Sequence, residues 1–240
     1  VQQPVAETGP IRFATSGHAQ MDAWRDDFAA RAMAAGHDRA LVKSLLEGIR
    51  PLPLWLGTEV QAATAPSSQA EFAKPIWDYL KVPMGQTRIS SGQTKLAALG
   101  PTLAAIEAKY GVDRQVLLAI WGMETSYGGF MGTDDAANAL ANMAVEGRRR
   151  AFAEAEIFAL MEIVEKGYAR RDQLGSGWAG AMGHTQFMPT TYIAHAVDFD
   201  GDGKRDVWKS EADALASAAN YLARSGYVKG QPWGLEVSLP

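Results

Sequence analysis

The sequence predicts a mainly α-helical protein, and three observations indicate this fold class. Apolar residues recur at helical spacing nearly everywhere from Met21 onward. No stretch of useful length alternates between apolar and polar residues, as a half-buried strand would. Of the 240 residues, 47% are hydrophobic and 21% are charged, which is the composition of a globular chain able to bury a substantial core.

The first predicted helices are separated by proline-rich or polar segments. Trp24 and Phe28 open the first helix. The second carries apolar residues at i, i+4, i+5 and i+8, namely Leu41, Leu45, Leu46 and Ile49. Pro51 and Pro53 predict its end, because proline cannot continue a helix. The polar, alanine-rich range 58–68 predicts a loop or a weak helix, and the next helix carries apolar residues at i, i+4 and i+8, namely Phe72, Ile76 and Leu80.

The later helices carry longer apolar stripes. One buried stripe with 3-4 spacing is formed by Leu96, Leu99, Leu103, Ile106 and Tyr110. Gly111 is predicted to end this helix, and Asp113 to cap the next. The inner face of that next helix carries Leu117, Ile120 and Trp121. Two further helices are predicted by Ile157, Leu160, Met161, Val164 and Tyr168, and by Leu215, Ala218, Ala219 and Leu222.

Composition and charge exclude several functional classes. The chain has no cysteine, so disulfides, thiolate metal sites and cysteine nucleophiles are impossible. Its net charge is −4 and its basic residues are scattered, which argues against nucleic acid as a partner. The one basic cluster, Arg148–Arg150, is interpreted as a solvated helix face. No stretch reaches the roughly 18 apolar residues of a membrane span.

Glu124 is the most informative single residue. It lies seven residues after Leu117, about 20° away around the helix, so the pattern predicts that it lies on the apolar stripe. Burial without a cationic partner raises the pKa of a carboxyl group and suits it to act as a general acid. Gly128 and Gly129 predict the helix end, where the acid could open onto a cleft. The alternatives are an ion pair with an arginine or a rotation to solvent.

A small-residue segment at 180–189, Gly-Ala-Met-Gly-His-Thr-Gln-Phe-Met-Pro, is a second candidate for function. Its small residues let another backbone or a ligand approach closely. Gln186 offers a donor and an acceptor suited to sugar or peptide amides. Close packing of a helix on a loop is the alternative interpretation.

The range 198–206 has the spacing of a calcium-binding loop. Asp198, Asp200, Asp202 and Asp206 occupy loop positions 1, 3, 5 and 9, with glycine at position 6. Position 12 is Lys209 instead of a bidentate glutamate. Asp213 is therefore predicted to supply the closing carboxylate in preference to Glu211. A solvated acidic turn without metal is the alternative.

Together these motifs resemble the lytic murein transglycosylase B family. The resemblance rests on three segments in order, at 124–128, 180–189 and 198–203, and extends to Asn220 and Tyr221. It implies a lysozyme-like helical catalytic domain at 91–240 with an EF-hand-like calcium loop at 198–213. A smaller helical segment at 21–90 is expected to pack on it, after a mobile tail at 1–20.

The resemblance also implies a function and a set of site residues. The implied reaction cleaves the MurNAc–GlcNAc β-1,4 bond of peptidoglycan, forms a 1,6-anhydro-MurNAc end and uses Glu124 as the single acid/base. The implied glycan contacts are Gln186 and Tyr221, with Met182, Ser126, Tyr127 and Asn220 as further candidates. The implied Ca²⁺ ligands are Asp198, Asp200, Asp202, the carbonyl of Lys204 and Asp213. The implied setting is a monomer in the periplasm or at the periplasmic face of the outer membrane, with glycan strands and other cell-wall enzymes as partners.

The chain departs from the family pattern in two places. Gly177 stands where many members have serine. Family members also usually continue past the position of Pro240, so a fragment, a cleavage product or a short member is expected.

Two rival functions are considered. One is a goose-type lysozyme-like hydrolase, and the lack of an obvious second carboxylate argues against it. The other is a non-catalytic, calcium-stabilised peptidoglycan-binding module, against which the predicted burial of Glu124 argues.

Overall fold

A computed structural model describes residues 9–56, 75–81 and 83–232, together with positions 234 and 237. The described residues are mainly helical, which confirms the predicted fold class. The loop or weak helix expected at 58–68, and Phe72, lie outside the described residues. Among the helices that are described, none is long and apolar enough to cross a membrane.

Within the described ranges, the regular secondary structure consists of helices and one very short strand pair. In chain order the described helices are α1 (Ala19–Ala34), α2 (Arg39–Leu46), α3 (Pro53–Leu56), α4 (Ile76–Lys81), α5 (Gln86–Ala98), α6 (Gly100–Tyr110), α7 (Arg114–Thr125), α8 (Ala136–Glu146), α9 (Arg150–Glu165), α10 (Pro189–His195) and α11 (Glu211–Arg224). A 3₁₀ turn covers Arg171–Gln173. The strands β1 (Asp134–Asp135) and β2 (Gly175–Ser176) pair antiparallel. Two residues are too few to show alternation, so the sequence could not reveal these strands.

The chain divides into two compact units. The first comprises Val1–Ala73, Gly132–Met182 and Phe187–Ile193, and the second comprises Lys74–Met131, Gly183–Gln186 and Ala194–Pro240. This division differs from the expected boundary near residue 90. The reason is that separate stretches of the chain combine in each unit, which local sequence patterns do not encode.

The first unit is built around α8. Every residue from Ala136 to Ala144 is buried, and the small alanine side chains allow α1, α2 and α9 to pack close to this helix. Two buried asparagines on α8 also fix the chain beyond α2, because Asn138 Oδ1 accepts from Arg50 N and Asn142 Oδ1 accepts from Leu52 N, each at 2.8 Å. Pro53 begins α3, and α2 has already ended at Leu46.

The second unit contains α5, α6, α7 and α11 around one apolar core. The buried residues of this core are Leu103, Ile106, Val112, Leu117, Leu118, Trp121, Leu215, Ala216, Ala218 and Ala219. The prediction of one helix through Leu96 and Tyr110 is wrong, because the chain breaks between α5 and α6. Pro101 lies in the first turn of α6, where its missing N–H costs nothing.

The connection from α6 to α7 confirms one predicted helix end and corrects one cap. Gly111 ends α6 in the left-handed conformation with φ 68°. Asp113 occupies the N-cap position of α7, but its side chain makes no capping hydrogen bond. Instead, its Oδ2 accepts a hydrogen bond from Tyr227 Oη at 2.6 Å.

Candidate active site

Glu124 lies in the last turn of α7, in the second unit. The prediction that it faces the core is wrong, because its side chain is exposed although Leu117 and Trp121 on the same stripe are buried. The physical reason is that α7 ends one residue later, so the stripe reaches the surface at Glu124. Partial burial still raises the pKa of the carboxyl group above its usual 4.5. No hydrogen bond or ion pair joins it to another described residue.

The end of α7 is held in an uncommon backbone conformation. Ser126 and Tyr127 have φ values of 51° and 62°, and Gln186, at 51°, is the other non-glycine residue with positive φ in the described part of the chain. Glycine usually fills the left-handed position at such a helix end, but here Ser126 occupies it. The helix therefore ends two residues before Gly128, where the sequence predicts its end. Strained backbone of this kind tends to cluster at functional sites. The family resemblance implies glycan contacts for all three residues.

Thr125 and His184 join this helix end to the small-residue segment. Thr125 Oγ1 donates to the His184 carbonyl at 2.7 Å and accepts from Gly128 N at 3.1 Å. Trp121 Nε1 donates to His184 Nδ1 at 3.0 Å, so the imidazole is neutral with its proton on Nε2. Burial lowers the pKa of His184, which favours the same neutral form.

Gly128 is the point of closest approach in this network. A Cβ placed on Gly128 would lie 2.4 Å from His184 Cε1 and 2.6 Å from Nδ1. Its φ of 80° is also one that other residues rarely adopt. Position 128 therefore requires glycine if the imidazole is to lie beneath the helix end that carries Glu124.

Gln186 has a partly engaged amide. Its Nε2 donates to the Gly183 carbonyl at 2.9 Å and to the Met131 carbonyl at 3.4 Å. The amide oxygen makes no hydrogen bond to another described residue. The side chain is partly buried, so its orientation is fixed while an acceptor remains for a ligand.

The remaining predicted glycan contacts have different exposures. Tyr221 is 41% exposed, and its ring stands edge-on to His195 with centroids 5.1 Å apart. Asn220 is partly buried and donates from Nδ2 to the His195 carbonyl at 2.9 Å. Met182 is fully buried and lies in the first unit, so its side chain is not presented to solvent.

The acidic loop brings together four of the predicted metal ligands. One carboxylate oxygen from each residue lies within 4.8 Å of the others, and the residues are Asp198, Asp200, Asp202 and Asp213. Ligands on opposite sides of a Ca²⁺ ion are about 5 Å apart, since each Ca–O distance is about 2.3–2.6 Å. The spacing and the all-oxygen donor set therefore fit one calcium ion.

Asp213 differs from the three loop aspartates because it is fully buried. Its Oδ1 accepts from Phe199 N at 2.7 Å and its Oδ2 accepts from Asp206 N at 2.9 Å. Desolvation raises its pKa, and nearby Asp200 adds to the shift. Glu211, the less favoured candidate, instead pairs with Lys95 Nζ at 2.5 Å.

Sequence reasoning missed two contributors to this site. His184 stands inside the small-residue motif, and a histidine among such small neighbours was the available signal. Thr125 links the two motifs, but only the folded backbone shows its partner.

Comparison with known proteins shows the family of this chain. The family model described as transglycosylase SLT domain matches residues 20–240, so the chain belongs to this family. Membrane-bound lytic murein transglycosylase B of Escherichia coli (strain K12) is 41% identical over 129 residues. That match covers 50% of this chain and 34% of the relative.

Solved structures show the same fold. SltB3 of Pseudomonas aeruginosa, in complex with NAG-NAM-pentapeptide, is 42% identical with a TM-score of 0.80, and the match covers 92% of this chain and 57% of SltB3. The Escherichia coli lytic transglycosylase SLT35 in complex with calcium is 25% identical with a TM-score of 0.77, covering 97% of this chain and 71% of SLT35. The chain thus spans little more than half of SltB3.

Proposed function

We propose that this chain is a peptidoglycan lytic transglycosylase. It cleaves the MurNAc–GlcNAc β-1,4 bond and leaves a 1,6-anhydro-MurNAc end, with Glu124 as the single acid/base. Its family membership and the activity of its relatives support this proposal. The observation that carries it is the Glu124 carboxyl group, which is unpaired among the described residues, accessible, and has a raised pKa.

The chemistry follows from the state of that carboxyl group. A neutral Glu124 donates its proton to the glycosidic oxygen as the bond to the leaving sugar breaks. The resulting carboxylate then accepts the proton of the muramyl 6-hydroxyl, whose oxygen bonds to C1. Glu124 returns to its protonated form, and no water is consumed.

The electrostatics of Glu124 support a mechanism with one carboxylate. A retaining glycosidase places a second carboxylate about 5–5.5 Å from the first. A charge so close would itself raise the pKa of Glu124. Desolvation accounts for the shift, and no charged neighbour among the described residues contributes to it. This electrostatic environment supports a nucleophile that the substrate itself supplies.

Other residues position the acid and the glycan. Thr125 donates a hydrogen bond to the His184 carbonyl, and the His184 ring accepts one from Trp121. These bonds fix the end of α7, so Thr125 and His184 position the Glu124 carboxyl group. Gln186 presents its amide oxygen to a sugar N–H or hydroxyl group, and Tyr221 presents an exposed ring on which a sugar can stack. Ser126 and Asn220 are further candidate contacts. Met182 supports the fold instead, because it is buried.

We propose a structural Ca²⁺ ion at the acidic loop. Asp198, Asp200, Asp202 and Asp213 would hold it, with the carbonyl of Lys204. The solved complex of a relative with calcium supports this assignment. The ion would offset the repulsion among these carboxylates and would tie the loop to the start of α11, in which Asp213 lies.

The proposed setting is the periplasm or the periplasmic face of the outer membrane. The membrane-bound lytic murein transglycosylase among the relatives supports this location. Glycan strands are the proposed partner, in keeping with the NAG-NAM ligand of SltB3. We also propose that the protein acts as a monomer and meets other cell-wall enzymes on the same substrate.

Digestion of purified sacculi tests the proposed function. The soluble products are analysed by mass spectrometry after incubation with the calcium-loaded protein. Products with 1,6-anhydro-MurNAc ends are expected. Reducing MurNAc ends would instead identify a hydrolase, and no release, with retained binding to sacculi, would identify a peptidoglycan-binding module.

A further inference from the structure

A pocket of about 340 Å³ lies in the second unit beside the turn that follows Glu124. Its lining residues are Gly85, Thr87, Arg88, Ser91, Ser126 and Tyr127. They include one guanidinium and several hydroxyl groups, and no carboxylate. The pocket therefore has a positive charge and several hydrogen-bond donors, which together suit an anionic ligand.

The guanidinium of Arg88 is available for such a ligand. Arg88 is partly buried, and its guanidinium makes no hydrogen bond or ion pair with any other described residue. Elsewhere in the same unit, Arg114 is paired with Glu107 at 2.5 Å. A partly buried, unpaired guanidinium gains most from a planar anion that can accept two parallel hydrogen bonds, as a carboxylate does.

The wall of the pocket is built into the fold. Gly92 on α5 and Gly122 on α7 make room for the Tyr127 ring. A Cβ at position 92 would lie 2.5 Å from Tyr127 Oη, and a Cβ at position 122 would lie 2.6 Å from Tyr127 Cζ. Tyr127 Oη donates to the Arg88 carbonyl at 3.0 Å. The ring therefore links the backbone of Arg88 directly to the strained turn after Glu124.

The end of α5 adds to the positive field of the pocket. Gly85 is the N-cap of this 13-residue helix and provides no side-chain cap. The first turn of a helix carries a partial positive charge. Thr87 and Arg88 lie in this turn, so the helix field and the guanidinium act on the same space.

We propose that this pocket binds a carboxylate on the muramyl part of the substrate, with Arg88 as the recognition residue. The inference rests on the proposed function, since Glu124 fixes which part of the glycan lies nearby. Two sources provide this chemistry. A peptide-bearing strand carries carboxylates on the stem, whereas a peptide-free strand carries the free lactyl carboxylate of MurNAc.

Binding to an inactive background tests the pocket without turnover. In protein carrying Glu124→Gln, calorimetry measures the Kd of GlcNAc-MurNAc-pentapeptide, the same ligand with its carboxylates amidated, and peptide-free GlcNAc-MurNAc. Arg88→Gln is compared with Arg114→Gln, which removes the same charge at the far end of α7, about 15 Å from Glu124 along the helix axis. Melting curves confirm that each variant is folded.

The loss of a charge-assisted hydrogen bond predicts that Arg88→Gln weakens binding of a free-carboxylate ligand about tenfold to hundredfold. The amidated ligand should change less than about twofold, and Arg114→Gln should leave all three ligands unchanged. A loss with the pentapeptide ligand identifies the stem, and a loss with the peptide-free ligand identifies the lactyl group.

Three results would overturn the inference. These are an equal loss for amidated and free ligands, no loss for any ligand, or no measurable binding by the Glu124→Gln parent. Digestion of sacculi by the wild-type protein separates this inference from the proposed function. If anhydro products form normally while Arg88→Gln binds every ligand like its parent, only the pocket assignment fails.

Discussion

Replacement of Gly128 by alanine should destabilise the protein through two separable effects. Its φ of 80° is unfavourable for alanine, at a cost of about 1–2 kcal/mol. The new methyl group would also lie 2.4 Å from His184 Cε1, and relief of this overlap should cost about 1–3 kcal/mol more. The total expected loss of unfolding free energy is therefore about 2–5 kcal/mol.

Gly111→Ala provides the matched control for the backbone effect. Gly111 has a similar φ of 68°, but a Cβ there meets nothing within 4 Å. Only the cost of the left-handed conformation, about 1–2 kcal/mol, is expected. Urea unfolding of both variants and the wild type, with calcium present throughout, gives the two losses directly.

The difference between the two variants is the informative quantity. Because the overlap at Gly128 involves the imidazole that accepts from Trp121 Nε1, the Gly128→Ala variant should also show altered tryptophan fluorescence. Equal losses for Gly128→Ala and Gly111→Ala would refute the proposed packing of His184 beneath the helix end.

Three further predictions concern metal, pH and the first unit. Calcium should raise the melting temperature of the wild type relative to chelator. Asp213→Asn should abolish this rise, whereas Glu211→Gln should retain it. A wild-type melting curve that calcium leaves unchanged would contradict the proposed metal site. Burial lowers the pKa values of His184, which is buried, and of His195, which is partly buried. On acidification the unfolded chain therefore binds protons at a higher pH than the folded chain, and the urea midpoint should fall as pH drops below about 6.5. Asn142→Ala should lower the unfolding free energy by about 2–3 kcal/mol, because Leu52 N and the Arg50 carbonyl lose their partner.

Helix content and several helix ends could be predicted from the sequence, because they depend on local patterns. Gly111 is an example, since a glycine after an apolar stripe has a direct backbone meaning. The break between α5 and α6 was missed because the 3-4 spacing of apolar residues continues through Leu99. Pro101 was the available signal, since proline is favoured in the first turn of a helix.

The candidate site was predicted in its residues but not in its geometry. Periodicity gives the angular position of Glu124 around the helix, but the exposure of its side chain depends on where the helix ends. Ser126 and Tyr127 end the helix with positive φ values, which their residue types do not predict. The buried position of Asp213 beside the loop aspartates depends on how α11 packs. The Arg88 pocket exists only through contacts between α5 and α7.

The central claim is that Glu124 is the acid/base, and the rate of anhydro-muropeptide release by Glu124→Gln tests it most directly. Wild type and variant are compared on the same sacculi, with melting curves to show equal folding. Removal of a general acid predicts a rate at least about 100-fold lower with the melting temperature retained. A folded Glu124→Gln variant that releases anhydro products at a rate close to wild type would contradict the account.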